Sequence, residues 1–492
     1  MSELAVPAGQ KIHASKKTYQ MLIGGEWRDS KTGGTIDSID PSNEEVIATV
    51  PDGGDADVAD AVEAGKAAFA EWRTFSAAKR QKKMYELARR MEERVEHFAM
   101  LDAIDSGNPL TGMIEDAKKA PDEIRNFANM ATELKGTSFE TPDDVVCFTV
   151  REAFGVVGRI IPFNHPYRFA AKVAPGLAAG NAVILKPGET TSLSALEFGE
   201  MTMDIFPKGL ISVVTGYGHT VGRAIVKHPE IMRVAFTGSV PTGQAIMRDA
   251  ADHMKRLSLE LGGKNPMIVF PDVDVDKAAQ GCIKGMNLAR SMGQSCQSNS
   301  RVFVHEKIYD RFVAALVERV AKLKVGDPRH EATVIGPVNH KKHYERIMGF
   351  IESGKDQGAK LSIGGARPSQ FNKGYYVEPT VFSDVTMEMR IAREEIFGPV
   401  VSVFKWNDYD SVVKEANGTE FGLTANIWTN DLTLANKTAK AMQAGLVWIN
   451  GAGGRVPGVP FGGYKLSGLG KEGDLSDLLS YTQEKTIITH LQ

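Results

Sequence analysis

Val156-Val157-Gly158-Arg159-Ile160-Ile161 is a short β-rich run, and further runs of the same texture follow at 182–185, 211–214, 233–236 and 257–261. Between them lie 166–179, 191–204, 219–227 and 242–254, which read as helices. Alternation of strand and helix predicts an α/β fold with a doubly wound parallel sheet. Upstream, 55–135 carries Ala-rich and charged residues at helical spacing, as in Asp57-Val58-Ala59-Asp60-Ala61-Val62 and Lys83-Met84-Tyr85-Glu86-Leu87-Ala88. Downstream, a second α/β block runs from about 267 to 470 and opens on Met267-Ile268-Val269-Phe270. Two β-rich segments belong to neither block: 141–152, containing Val145-Val146-Cys147-Phe148-Thr149-Val150, and the C-terminal stretch 481–490. Such outlying strands either build an oligomer interface by edge pairing or sit as internal edge strands.

Composition narrows the class of protein. A chain of 492 residues has room for two or three domains, and 42% hydrophobic with 24% charged residues is the balance of a soluble globular protein. The net charge of −3 provides no general drive toward nucleic acid or an anionic membrane surface. Cys147, Cys282 and Cys296 are too few and too scattered for a disulfide framework, and no Cys/His cluster has zinc spacing, so no metal is expected. The polar start, 1–17, lacks the apolar run of a signal peptide. No stretch of about 20 apolar residues is present to span a bilayer. A reducing cytoplasm is the expected location, and it suits a free reactive thiol.

The chemistry centres on Cys296, in Gly293-Gln294-Ser295-Cys296, and on Glu260, in Leu259-Glu260-Leu261-Gly262-Gly263-Lys264. A thiol and a carboxylate in such surroundings can serve as nucleophile and general base, attacking a carbonyl and later activating water. Two glycine loops follow strands. Gly216-Tyr217-Gly218-His219-Thr220-Val221-Gly222 has one residue too many for the dinucleotide pattern. Phe236-Thr237-Gly238-Ser239-Val240-Pro241-Thr242-Gly243 leads from a strand into a helix whose free N–H groups favour an anion; a plain βα turn would look the same. Lys186-Pro187-Gly188-Glu189 closes another strand of that sheet, where a Lys and a Glu can hold ribose hydroxyls or simply form a surface salt bridge.

These motifs occur in one order with Phe163-Asn164, with Glu394-Glu395-Ile396-Phe397-Gly398-Pro399 and with Pro460-Phe461-Gly462-Gly463-Tyr464-Lys465-Leu466-Ser467-Gly468. Together they resemble the NAD(P)-dependent aldehyde dehydrogenase superfamily, from about residue 20 to the end. The resemblance implies a cofactor domain (1–134 and 154–264), a catalytic domain (265–473) and a small β oligomerisation element (135–153 and 474–492). It implies a homodimer or homotetramer acting on a small aldehyde. Cys296 would form a thiohemiacetal and then a thioester, Glu260 would activate the hydrolytic water, and the Asn164 amide with the Cys296 N–H would hold the oxyanion. Lys186 and Glu189 match the ribose-binding pair, Ser239 the pyrophosphate position, and Glu395 and Phe397 the nicotinamide side. Ile161, Pro162, Phe163, Gly238, Gly243, Leu261 and Gly262 complete the cofactor set. Glu472 matches a position credited with proton relay. NAD is expected over NADP, because a 2′-phosphate would meet the Glu189 carboxylate. Phe163 stands where Trp is commoner and keeps an apolar wall. A CoA-acylating relative and a non-catalytic protein of the same fold are the alternatives; Glu260 speaks against the first, and Cys296, Glu260 and Asn164 together against the second.

One feature is particular to this chain. Pro166 suits the first position of a helix on which His165, Arg168, Phe169 and Lys172 fall at i, i+3, i+4 and i+7, on one side. In the family this side lines the substrate tunnel, to which Arg290, Arg455 and Phe461 also match. Four basic residues there predict an aldehyde bearing an anionic group, such as a semialdehyde acid, unless they face solvent or pair with acidic neighbours.

Overall fold

The computed structural model describes residues 17–454 and 456–491. Most of the polar start, together with Arg455 and Gln492, thus lies outside the described residues. The first large sheet contains five parallel strands in the spatial order Arg256–Glu260, Ile231–Thr237, Val156–Ile160, Ala182–Lys186 and Ile211–Val213. Val156–Ile160 and Ala182–Lys186 are buried along their whole length, as strands covered by helices on both faces must be. The chain order reverses direction between Val156–Ile160 and Ile231–Thr237. In open α/β sheets, ligands bind at such a switch point, beyond the carboxyl ends of the strands. Met21–Ile23, Glu26–Arg28 and Gly468–Leu469 extend this sheet as antiparallel additions.

Helices pack over it as expected. Asp55–Trp72 opens with Asp55 and Asp57 in its first turn, and the Gly54 N–H donates to the Asp57 carboxylate at 2.9 Å, satisfying a helix-end donor. The helix closes on Trp72, whose indole N–H donates to the Leu177 carbonyl at 3.1 Å. The second large sheet, with Thr380–Ser383, Val400–Trp406, Arg301–His305, Pro266–Val269, Thr424–Trp428 and Leu446–Ile449 in parallel, has its own apolar core. Val145–Ala153 and Thr482–His490 pair antiparallel along their full lengths, with Ser138–Phe139 on the other side. The outlying segments are therefore each other's partners in a small separate sheet.

Three local features differ from the sequence reading. Gly34–Asp40 and Glu45–Asp52 form a further small sheet with Lys17–Thr18 ahead of the first helix. Gly218–Gly222 is a turn of π-helix beside a separate surface groove of about 510 Å³. The 166–179 helix is also broken, into Pro166–Ala170, a tight turn at Ala171–Val173 and Ala174–Ala178.

Candidate active site

A cavity of about 1090 Å³ opens at the switch point. Pro162, Phe163 and Asn164 line it from the end of Val156–Ile160, Gly238 and Ser239 from the end of Ile231–Thr237, and Glu260, Leu261 and Gly262 from the end of Arg256–Glu260. Cys296 and Phe169 line it as well. Glu189, Glu395 and Phe397 line the same cavity.

Cys296 sits on a loop under conformational constraint. Asn287, Met292 and Gly293 all take positive φ, at 54°, 50° and 72°. Non-glycine residues held there store strain of about 1–3 kcal/mol each, which is typical of functional loops. The Cys296 carbonyl accepts from Asn265 Nδ2 at 2.7 Å, which fixes the peptide after the thiol. Asn164 is 4% exposed; its side-chain N–H donates to the Gln294 carbonyl at 2.8 Å, leaving a second N–H of the amide for another acceptor. Glu260 is buried at the tip of its strand, between Thr237 and Gly468. The other thiols differ in setting: Cys282 is fully buried, and burial pushes its pKa up to about 12, so it stays a protonated small hydrophobe.

On the far side, Ser239 caps the helix Val240–Ala251, accepting from the Thr242 N–H. The Lys186 ammonium is buried and reaches the Pro187 carbonyl at 2.8 Å and Glu189 at 3.4 Å. Burial lowers its pKa. Burial acts to raise Glu189, but the Lys186 charge outweighs it and holds the carboxyl below its usual range. Glu395 is raised by burial, against a hydrogen bond from the Gly263 N–H at 2.9 Å. A Cβ on Gly262 would run into the Glu395 carboxylate and push it from its place. Phe397 has φ +62°, and its ring meets Phe163 edge-on at 5.9 Å. Ile161 and Gly243 stand behind this wall: the Ile161 N–H donates to the Lys186 carbonyl at 3.0 Å, and a Cβ on Gly243 would press on Leu261. His340, His343 and Arg346, not singled out in the sequence, also line the cavity. Arg346 donates to the Glu395 carbonyl at 2.6 Å. Basic residues beside a helix start gave no signal that could assign them.

The basic tunnel side comes out differently from expectation. Lys172 is buried and its ammonium bonds to Glu472, as does Arg159 at 2.6 Å, so Lys172 does not face the substrate space. Burial works to raise Glu472, but Arg159 and then Lys172 hold its carboxyl well below the usual range. His165 turns to Asp116, with Nδ1 2.6 Å from Oδ2, and is not among the residues lining either cavity. Arg168 reaches the other Asp116 oxygen at 3.2 Å and Arg290 bonds to that same oxygen. Asp116, fully buried and absent from the sequence reading, is thus the anchor of the group. Arg168 and Arg290 do line a second cavity of about 260 Å³, together with Gln297, the residue after Cys296. Phe461 is buried and exchanges backbone hydrogen bonds with Glu472 at 2.9 and 2.7 Å rather than lining either space. Arg455 lies outside the described residues.

Among the described residues no group of His, Cys, Asp and Glu is arranged to hold a metal ion, and no helix is long and apolar enough to cross a membrane.

Comparison with known proteins bears on the family and the fold. The family model described as "Aldehyde dehydrogenase family" matches residues 27–487. Aldehyde dehydrogenase 1 of Tanacetum cinerariifolium is 43% identical over 480 residues, covering 96% of this chain and 95% of the relative. Hydroxyisobutyraldehyde dehydrogenase of Mycolicibacterium austroafricanum is 42% identical, with 96% and 94% covered. The solved structure of an aldehyde dehydrogenase from Bacillus cereus, described as an NAD+ complex, superposes with a TM-score of 0.94 at 38% identity, covering 97% of both chains. The chain belongs to the aldehyde dehydrogenase family.

Proposed function

We propose that this chain is an NAD-dependent aldehyde dehydrogenase that hydrolyses its own acyl-enzyme, and that its aldehyde substrate bears an anionic group. The observation that carries the reading is one continuous cavity with Cys296, Glu260 and Asn164 on its wall alongside Glu189 and Ser239. Its volume suits a dinucleotide and an aldehyde together. Glu189 and Lys186 would hold the adenosine ribose, the helix start at Ser239 the pyrophosphate, and Glu395 the second ribose. When bound there, NAD supplies the acceptor for the hydride of the aldehyde. A 2′-phosphate would meet Glu189, so NAD is favoured over NADP.

The chain's own residues carry the rest. The Cys296 thiolate adds to the aldehyde carbonyl to give a thiohemiacetal. The free N–H of the Asn164 amide and the Cys296 backbone N–H receive the charge that develops on the oxygen; one such donor is commonly worth about 10²–10³ in rate. Oxidation leaves a thioester on Cys296. Glu260 takes a proton from water, the resulting hydroxide attacks the thioester, and the acid leaves as the thiol is restored. A relative that hands the acyl group to CoA needs no such base, so Glu260 favours hydrolysis.

The substrate reading rests on Arg168 and Arg290. The two guanidinium groups share the Asp116 carboxylate and line the 260 Å³ cavity together with Lys119, Asp122 and Glu123. A carboxylate on the substrate would meet the planar guanidinium donors of these two residues, and a semialdehyde acid, aliphatic or aromatic, fits. The retinaldehyde and hydroxyisobutyraldehyde dehydrogenases among the relatives are named for uncharged aldehydes, so the anionic reading comes from this chain's arginines and not from its relatives.

The reading divides the chain into a cofactor part (1–134 and 154–264), a catalytic part (265–473), of which Gly468–Leu469 pairs into the first large sheet, and a β element (135–153 and 474–492). Ile488 and Phe139, 59% and 49% exposed on the small sheet, suit its use as the contact between copies in a dimer or tetramer. NADH formation against a panel of charged and neutral aldehydes, without CoA or phosphate, tests the function. Turnover on carboxylated aldehydes is expected; a requirement for CoA would overturn hydrolysis, and neutral aldehydes outperforming every carboxylated one in kcat/KM would overturn the anionic substrate.

A further inference from the structure

We propose that Gln294 is a positioning residue that keeps the two oxyanion donors, the Asn164 amide and the Cys296 N–H, in register with each other. The proposal rests on the reading of Asn164 as an oxyanion donor.

Gln294 is fully buried, two positions before the nucleophile. Its backbone carbonyl accepts from Asn164 Nδ2 at 2.8 Å. An amide group is planar, so fixing one N–H fixes the direction of the other. That second N–H is the one available to a substrate oxygen. Only Ser295 separates the Gln294 carbonyl from the Cys296 N–H, so a shift of Gln294 moves both donors at once.

The side chain of Gln294 holds this backbone in place. Its Oε1 accepts from the Asn339 N–H at 3.0 Å, and its Nε2 donates to the Ser291 carbonyl at 3.3 Å. Asn339 is itself pinned on both sides. Its Nδ2 donates to the Asp105 and Ser106 carbonyls at 3.5 and 3.3 Å, and its Oδ1 accepts from Thr190 at 2.6 Å. These partners lie in the first α/β half of the chain, whereas Gln294 and Asn339 lie in the second. The tether therefore crosses between the halves at the point where the two donors must meet. Asn164 has a matching anchor of its own: its backbone carbonyl accepts from Asn108 Nδ2 at 2.8 Å, and Asn108 is fully buried.

The loop needs such anchors. Met292 and Gly293 hold left-handed backbone immediately before Gln294, a conformation the surroundings must enforce. Oxyanion donors act only when aimed within about 0.5 Å of where the charge develops. Losing the Gln294 side-chain bonds frees both donors to drift, and the cost falls on the step that builds the oxyanion.

The test replaces Gln294 with a residue of similar length and no hydrogen-bonding end, Gln294→Met. Two rates are compared. One is single-turnover NADH formation from enzyme, NAD and aldehyde; the other is alkylation of Cys296 by iodoacetamide, a displacement at saturated carbon that develops no oxyanion. NADH formation is expected to fall about 10–100-fold, part of the loss for a missing donor, with alkylation within about twofold of wild type. Asn108→Ala removes the other anchor and is expected to show the same split, which keeps the proposal open to test should Gln294→Met fail to fold. Unchanged NADH formation overturns the proposal, and so does an equal fall in both rates, which would mean general collapse of the loop. Asn164→Ala run in parallel separates the two readings. If it too leaves NADH formation unchanged, the oxyanion assignment fails; if it abolishes NADH formation while Gln294→Met does not, only the role of Gln294 fails.

Discussion

Glu472→Gln tests the buried charge cluster that took Lys172 away from the substrate. In the native protein the Glu472 carboxylate, 4% exposed, bonds both the Arg159 guanidinium and the Lys172 ammonium, which are 2% and 8% exposed. Glutamine keeps the shape and the backbone pairing with Phe461 but takes away the charge that both buried cations bond to. Breaking a buried pair by removing one partner costs about 3–5 kcal/mol. At about 2 cal/mol/K of unfolding entropy per residue, a chain of 492 residues loses roughly one degree of Tm per kcal/mol, so the expected drop is about 3–5 °C. The pH dependence follows from the depressed carboxyl. A group whose folded pKa lies below its unfolded value, about 4.3 for Glu, gives stability that is present above that value and is lost as pH falls through the folded pKa. The gap between wild type and variant should therefore be full at pH 7 and close progressively in acid below about pH 4. Scanning calorimetry or dye-monitored melting across pH measures it. A Tm within about one degree of wild type at pH 7 would refute the view that Glu472 is a structural counterion.

Arg168→Ala and Arg290→Ala should each raise KM for a carboxylated aldehyde by about tenfold, the worth of one charge-assisted bond, while a neutral aldehyde changes little; steady-state kinetics on matched substrates decides it. Glu189→Gln should lower kcat/KM for NAD and raise it for NADP, narrowing the ratio; an unchanged ratio would remove Glu189 from cofactor choice. Lys264 is buried with no hydrogen-bond partner on its Nζ among the described residues, and burial lowers its pKa to about 7. A lowered lysine costs stability where the unfolded chain is still protonated, so stability should rise with pH between about 7 and 10, and Lys264→Met should raise Tm at neutral pH but not near pH 10.

Much of this was legible in the sequence, for physical reasons that vary by element. The parallel strands at 156–160 and 182–186 read as apolar runs because helices bury both their faces. The strand Gly34–Asp40 was hidden because its inward face carries Ile36, Ser38 and Asp40, so alternation of burial is not alternation of hydrophobicity. Cys296, Glu260 and Asn164 stood out through their motifs, and the fold brings all three to one cavity. The basic stripe holds only in part: Arg168 lines the second cavity, but an i, i+3, i+7 argument needs an unbroken helix, and beyond the turn at Ala171–Val173 the Lys172 ammonium bonds to Glu472. Its counterion lies 300 positions further along the chain, and Asp116 lies 174 positions before Arg290; spacing cannot reveal such pairs.

The central claim is a covalent acyl group on Cys296 that Glu260 helps to hydrolyse. Glu260→Gln enzyme given NAD and an accepted aldehyde, quenched in acid and digested, should show the peptide containing Cys296 heavier by the acyl group, persisting longer than in wild type. The same treatment of Cys296→Ala should show no adduct and no NADH. An NADH burst with no acyl mass on Cys296, or with the mass on Cys147 or Cys282, would contradict the mechanism.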